Sequence, residues 1–196
     1  MTERISKVIK SLVPGFPNEE IELFLDICKP TTIEQNDYFI SAGQTPRKFG
    51  FIINGLVRYF YTDNDGREFT KAFLGENSFI SSYTAMKKQT PSLFTIQALV
   101  ETEIIEIYYE KWEKLKQKNE VWNKFLIALL EKGYSIKEKR EHDLLLLDAE
   151  NRYKIFREEF HSLEARIKQH LIASYIGITP IALSRIRKKM TPINLC

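Results

Sequence analysis

Cysteine and histidine are scarce in this chain of 196 residues. The two cysteines, Cys28 and Cys196, lie far apart in the sequence, which leaves neither a disulfide framework nor a cysteine metal cluster. The three histidines, His142, His161 and His170, all follow the region in which strands are predicted below. We therefore expect no iron–sulfur, haem or other metal centre, no cofactor, and a reducing compartment.

Long hydrophobic runs are also missing, so we expect no signal peptide, no membrane span, no membrane partner and a cytoplasmic location. With 43% hydrophobic residues, the chain is long enough to form one large domain or two small ones, and we favour two. Acidic residues are absent from 177–196. Residues 1–150 carry a net charge of −3 and residues 151–196 carry +6, which predicts a nucleic acid as the anionic partner of the C-terminal part.

The segment 169–190 reads as two short amphipathic helices that meet at Gly177, which is a helix-turn-helix pattern. In the first helix, small Ala173 would let a second helix cross closely. Thr179 stands where an N-cap belongs, and Pro180 takes the first position of the second helix, where its missing N–H costs nothing.

The second helix has Leu183 and Ile186 for its buried face and is otherwise rich in basic residues. An ordinary helical hairpin with a solvated basic end would be the alternative. Because the small residue, the turn glycine, the cap and the acid-free basic face coincide, we favour DNA binding, with the second helix as the reader of the major groove.

The N-terminal residues predict two helices, 2–14 and 18–28. After them the sequence pattern changes to short apolar or alternating runs with turn residues between them. Such a pattern predicts an antiparallel barrel or sandwich, with hairpin turns at Asn54-Gly55 and at 63–66. The predicted strands are Tyr38–Ser41, Phe49–Ile53, Leu56–Tyr61, Glu68–Leu74, Leu93–Leu99 and Glu103–Tyr108.

A long helix is predicted over Val121–Leu147, followed by a helix over 149–161 and a connection over 162–167. The long helix could pack only on its own barrel, but its apolar surface, with Trp122, Phe125 and Leu129, is wide enough for a second neighbour. We therefore predict a dimerisation helix without a regular heptad, because a polar run over 137–143 interrupts its apolar face.

The order of these parts, together with two stretches of sequence, resembles the Crp/Fnr superfamily of transcriptional regulators. Residues 172–189, with their Gly-Ile-Thr-Pro turn, are similar to the recognition module of that family, and Phe51–Arg58 resembles a hairpin that crosses its barrel. The fold class expected is α+β, with an antiparallel β-barrel of jelly-roll type, flanking helices, a long dimerisation helix and an all-α helix-turn-helix. The domains expected are a cyclic-nucleotide-binding-like sensor over 1–118, the dimerisation helix over 119–147 and a DNA-binding domain over 148–196.

The resemblance implies a homodimer that is not an enzyme, binds double-stranded DNA, responds to a small effector and has RNA polymerase as a candidate partner. Residues at positions that face bases in relatives are Pro180, Ile181, Ser184 and Arg185. Arg185 can donate to a guanine through two N–H groups, whereas Ile181 replaces a residue that is usually acidic. Residues suited to phosphate contacts are Thr179, Arg187, Lys188 and Lys189.

The sensor pocket departs from relatives that bind cyclic nucleotides. Gly75-Glu76 is present, but Pro91-Ser92-Leu93 offers no arginine where the family neutralises the cyclic phosphate, so cyclic AMP is not the expected effector. Gly75-Glu76 is equally well interpreted as a structural turn before a helix. The candidate pocket residues are Gly75, Glu76, Asn77, Ser78, Phe79 and Ser92.

Two other functions compete with this one. An enzyme on a small metal-binding barrel is disfavoured because the predicted strands contain no histidine. A ligand-binding or interaction module that no longer binds DNA is favoured by the apolar Ile181 and Ala182. It is also favoured by the six residues after Met190, which are too few for the β-hairpin wing that relatives often have.

Overall fold

A computed structural model describes residues 2–190 of the chain, which form two helices, a β-structure and a C-terminal series of helices. The helices before the sheets are α1 (Thr2–Leu12) and α2 (Asn18–Asp26). The strands are β1 (Cys28–Ile33), β2 (Tyr38–Ile40), β3 (Lys48–Asn54), β4 (Leu56–Thr62), β5 (Glu68–Gly75), β6 (Phe79–Ile80), β7 (Thr95–Ala98) and β8 (Thr102–Tyr108). The remaining helices are α3 (Tyr83–Lys88), α4 (Tyr109–Lys116), α5 (Val121–Leu146), α6 (Ala149–Glu159), α7 (Gln169–Ile176) and α8 (Pro180–Met190), with a 3₁₀ turn at Glu164–Arg166.

The strands form two four-stranded antiparallel sheets, in the orders β1-β8-β3-β6 and β2-β7-β4-β5. The predicted α+β class and jelly-roll architecture are confirmed, but the two sheets do not close into one barrel. The elements that were not predicted individually are β1, β6, α3 and α4. Cys28–Ile33 carries a proline and gains its pairing only from β8, and β6 has just two residues, so neither gives a periodic signal.

Two apolar clusters hold the β-structure together. One lies between the sheets and includes Val57, Tyr59 and Ile96. The other lies outside β3 and β8, where α1, α2, α4 and the start of α5 cover them with a group of edge-to-face aromatic rings centred on Trp112 and Trp122. The N-terminal helices therefore complete the core of the β-structure.

The start of α5 belongs to this second cluster, which corrects one expectation. Trp122 and Phe125 are buried within their own chain, and Leu129 packs against the same cluster, so these residues are not left for a partner. Trp122 also donates from its indole nitrogen to Glu20, at 2.8 Å. The apolar residues that α5 does expose are Ile127, Leu130, Tyr134, Ile136, Leu145 and Leu146.

Helices α5 and α6 are separated only by Leu147 and Asp148. Leu147 is extended, which ends α5, and the carboxylate of Asp148 accepts the N–H of Asn151 at 2.8 Å, which starts α6. This sharp turn brings α6, α7 and α8 back towards β5. Within residues 2–190, no helix is both long enough and apolar enough to span a membrane.

Candidate nucleic-acid interface and adjoining cavities

Helix α7 is buried on almost every side and ends where the sequence predicts. Its apolar residues Leu171, Ile172, Tyr175 and Ile176 are buried, and Ala173 is completely enclosed. Gly177 has φ of +72°, and the N–H of Ile178 binds the carbonyl of Ala173 at 3.0 Å, so the carboxyl end of the helix is capped.

Helix α8 begins at Pro180 and presents one face to solvent. The hydroxyl of Thr179 accepts the N–H of Ala182 at 3.2 Å, which is the predicted N-cap. Leu183 is fully buried against α6 and α7, and Ile186 is partly buried. The opposite face is exposed and carries Ile181, Ser184, Arg185 and Lys188, and the side chain of Ile181 is 68% exposed.

The basic residues of α8 fall into two groups. Lys189 binds the carboxylate of Glu150 at 2.6 Å, which raises the pKa of its ammonium, and Arg187 lies 4.0 Å from the carboxylate of Glu164. Arg185 and Lys188 form no ion pair with any residue of the 2–190 range. The unpaired positive charge therefore lies on the exposed face.

The α7–α8 unit is docked on β5. The hydroxyl of Ser174 accepts the N–H of Thr70 at 2.9 Å and donates to the carbonyl of Glu68 at 3.2 Å. Leu56 and Phe73, from the sheet, belong to the same apolar cluster as the buried residues of α6, α7 and α8. The helix-turn-helix thus shares its core with the β-structure.

Two arginines hold the carboxyl end of α7 in this position. Arg140 of α5 donates to the carbonyls of Tyr175, at 2.8 Å, and Thr70, at 3.1 Å. Arg152 of α6 donates to the carbonyls of Ile176, at 2.8 Å, and Leu147, at 2.7 Å. Each guanidinium thereby satisfies helix-terminal carbonyls that would otherwise lack donors. The sequence did not single out either arginine, although the polar run that interrupts α5 contains Arg140.

The six predicted pocket residues do not converge on one site. Gly75 to Phe79 form the turn from β5 into β6, with Asn77 at φ of +64°. The centre of the Phe79 ring lies 4.9 Å from that of Phe51, in the apolar cluster outside β3 and β8. Ser92 lies elsewhere, buried, with its hydroxyl bound to Ser82 and to the carbonyl of Phe94.

Glu76 instead connects the sheet to the C-terminal helices. Its carboxylate accepts the N–H of Gly55 at 3.0 Å and the guanidinium of Arg166 at 2.9 Å. Burial raises the pKa of the Glu76 carboxyl, but the amides of Glu76 and Gly55 and the charge of Arg166 outweigh it, so the pKa lies below its usual value. These contacts indicate that Glu76 orders the turn that follows β5.

A half-buried cation at β5 was not foreseen from the sequence. The ammonium of Lys71 lies 3.9 Å from the centre of the Phe94 ring and 5.4 Å from that of Tyr61. Burial, then repulsion from Lys137 and from Arg140, lowers the pKa of Lys71 to about 8. Lys71 pairs with no carboxylate in the described part of the chain.

Two cavities adjoin these contacts. One, of about 350 Å³, lies between β5, α5, α6 and α7 and has a mostly apolar wall. The other, of about 240 Å³, is polar and is lined by residues that include Arg58, Glu68 and His170. None of the six predicted pocket residues lines either cavity. No group of three His, Cys, Asp or Glu residues within 2–190 is arranged to hold a metal ion.

Known proteins share both the sequence pattern and the fold. The cyclic nucleotide-binding domain family matches residues 30–119. The cAMP-activated global transcriptional regulator CRP of Escherichia coli is 23% identical over 143 residues, which cover 72% of this chain and 68% of that protein.

Two solved structures extend the likeness to the helices. FixK2 from Bradyrhizobium japonicum has a TM-score of 0.74 at 16% identity, with 84% of each chain covered. The c-di-GMP responsive global regulator CLP of Xanthomonas campestris has a TM-score of 0.71 at 19% identity, with 89% of this chain and 91% of that chain covered. CRP and CLP are regulators by name, in agreement with the expectation that this chain is not an enzyme.

Proposed function

We propose that the chain is a DNA-binding transcriptional regulator of the Crp/Fnr type, on the premise that it contains a cyclic nucleotide-binding domain and has the fold of that superfamily. The resemblance found in its sequence is thereby confirmed. The observation that carries the proposal is the exposed face of α8, on which Arg185 and Lys188 have no partner among residues 2–190. An acid-free helix face with unpaired cations is suited to the polyanionic surface of duplex DNA.

In this proposal, α8 enters the major groove with its first turns towards the bases. Pro180, Ile181, Ser184 and Arg185 face base edges, and Arg185 donates two hydrogen bonds to a guanine. Thr179 and Lys188 meet phosphates. Arg187 and Lys189 can reach phosphates only by exchanging their carboxylate partners, so we expect them to contribute less than Lys188.

We propose a homodimer that uses the side of α5 facing away from the buried tryptophan. Ile127, Leu130 and Tyr134 recur at intervals of three and four residues and are 54%, 41% and 66% exposed in the single chain. Apolar residues spaced in this way line one stripe of a helix, and pairing with a second copy would remove them from water. Two copies of α8 would then bind the two halves of a two-fold symmetric operator.

The same proposal divides the chain into a sensor over 1–118, the dimerisation helix over 119–147 and a DNA-binding part over 148–196. We also propose a cytoplasmic location and RNA polymerase as a further partner. The effector differs from cyclic AMP. Ser92 and Leu93 occupy the place where the family has its phosphate-binding arginine, and the hydroxyl of Ser92 is already bound within the protein. Of the six candidate pocket residues, Glu76 is also committed, to Arg166.

One observation favours a different function, an interaction module that does not bind DNA. Ile181 is a large apolar side chain, 68% exposed, in the middle of the face that would read bases. An apolar residue there can contact a thymine methyl group, but it could equally contact another protein. The predicted shortage of residues for a wing concerns 191–196, which lie outside the described residues.

The two functions are distinguished by a selection of random duplex DNA at several salt concentrations. We expect one enriched two-fold sequence and an affinity that falls steeply with salt. A double variant, Arg185→Ala with Lys188→Ala, should lose this enrichment. The matched control, Lys87→Ala with Lys88→Ala, removes the same charge from exposed positions of α3 and should retain it. No enrichment by the unaltered chain would favour the interaction module.

A further inference from the structure

The cavity between β5, α5, α6 and α7 has the size and wall of a small-molecule site. Its volume of about 350 Å³ lies within the range typical of ligand pockets. Phe73, Ile136, Phe156, Phe160 and Tyr175 form most of its apolar wall. A molecule that fills it would need an apolar body.

The charges that line the cavity do not balance. Lys139 binds both Asp143, at 2.9 Å, and Glu159, at 2.7 Å, so these three groups satisfy one another. Arg140 and Arg152 also line the cavity, and neither is paired with a carboxylate anywhere in residues 2–190. Three cations and two carboxylates leave a net charge of +1 around an apolar space.

Arg140 carries a donor that the protein does not use. Its terminal nitrogen binds backbone carbonyls, but its Nε is buried and has no hydrogen-bond partner. A buried donor on a charged group is costly to leave unsatisfied, so such atoms are rare in folded proteins. Lys71 and Lys137 add further positive charge next to Arg140. The surroundings therefore favour an anion.

We propose that this cavity binds a small organic carboxylate with an apolar chain or ring. The carboxylate accepts hydrogen bonds from Arg140, and the apolar body packs against Phe73, Ile136 and Phe160. This site is separate from the pocket that the sequence suggested around Gly75 and Glu76. Because Arg140 and Tyr175 fix α7 on β5, an occupant would contact the elements that position α8, and its effect on DNA binding rests on the proposed function.

The test measures binding of n-octanoate to the full chain by titration calorimetry, without DNA. We expect saturable binding of one octanoate per chain, at least about tenfold tighter than binding of octan-1-ol, which lacks the charge, or of acetate, which lacks the body. No saturable binding of octanoate, or equal affinity for octan-1-ol, would overturn the proposal.

Two variants locate the site. Arg140→Gln should weaken octanoate binding about tenfold or more, whereas Lys132→Gln, which removes a charge from an exposed position of the same helix, should not change it. Ile136→Trp enlarges a side chain that lines the cavity and leaves both arginines in place, so it should abolish binding and tests the site even if Arg140→Gln fails to fold. Unchanged affinity in Ile136→Trp, or an equal loss in Lys132→Gln, would show that octanoate binds elsewhere. Because DNA is absent, failure here is distinguishable from failure of the DNA-binding proposal.

Discussion

Glu76 and Arg166 lie 90 residues apart in the sequence, and their side chains meet at 2.9 Å. Glu76 follows β5, whereas Arg166 ends the 3₁₀ turn that leads into α7. The pair is about 30% exposed on both sides, so it is neither a free surface pair nor a fully buried one. It joins the turn after the sheet directly to the helix-turn-helix.

We predict that this pair stabilises the docked arrangement modestly. A double-mutant cycle with Glu76→Gln and Arg166→Gln, followed by urea unfolding, should give a coupling energy of about 0.5–1 kcal/mol after allowance for solvent screening. The folded-state pKa of Glu76 is lowered, so its contribution is present above the unfolded pKa and is lost as pH falls through the folded pKa. A coupling energy of zero at neutral pH would contradict the prediction.

Arg185 and Lys188 should affect DNA binding in different ways. We expect Arg185→Ala to cost about 1–3 kcal/mol on the selected operator and to relax the preference at one base pair in each half-site. Lys188→Ala should weaken all sequences alike and reduce the salt slope by about one per subunit. Salt titrations on specific and scrambled duplexes measure both effects. A uniform loss in both variants would mean that Arg185 contacts only the backbone.

The dimer interface is predicted at Leu130 rather than at Trp122. Leu130→Glu should convert a dimer to a monomer in multi-angle light scattering at micromolar concentration, because it places a charge in the exposed apolar stripe of α5. Ser135→Glu introduces the same charge at an exposed position beside that stripe and should remain dimeric. A monomeric unaltered chain would count against the proposal.

Cyclic AMP should not bind at physiological concentrations. Ser92 and Leu93 offer no arginine to pair with a cyclic phosphate, and the hydroxyl of Ser92 is already hydrogen-bonded to Ser82 and to the carbonyl of Phe94. Burying a phosphate without a compensating cation is costly. Calorimetry with Escherichia coli CRP as the positive control measures this directly. A micromolar dissociation constant would show that another cation, such as Lys71, takes the role of the arginine.

Lys71 should reduce the stability of the fold at neutral pH. Its pKa is about 8 in the folded chain, below the usual 10.5, because burial and then Lys137 and Arg140 disfavour its charged form. The unfolded chain therefore holds more protons between about pH 8 and pH 10.5, and stability rises with pH in that window. Lys71→Met, which keeps an unbranched chain over the aromatic rings, should raise Tm at pH 7. The advantage over the unaltered chain should shrink towards pH 10, and a constant difference would rule out this cause.

Local signals in the sequence determined the helix-turn-helix and most of the strands. Gly177, Thr179 and Pro180 act through the backbone of their own turn, so the end of α7 and the start of α8 could be predicted and are confirmed. Alternating apolar residues likewise predicted β3, β4, β5 and β8 to within a residue or two. Strand β1 was missed because its pairing with β8 joins residues some seventy positions apart.

Only the tertiary structure decided which apolar face of α5 is buried and where the docking contacts lie. Trp122 and Ile127 belong to the same apolar helix, and the sequence pattern cannot tell that the first meets α2 and α4 while the second meets solvent. The same holds for Arg140, whose role depends on Thr70 and Tyr175 reaching it from β5 and α7. Caps and periodicity are properties of neighbouring residues, whereas burial and charge balance depend on which distant residues the fold brings together.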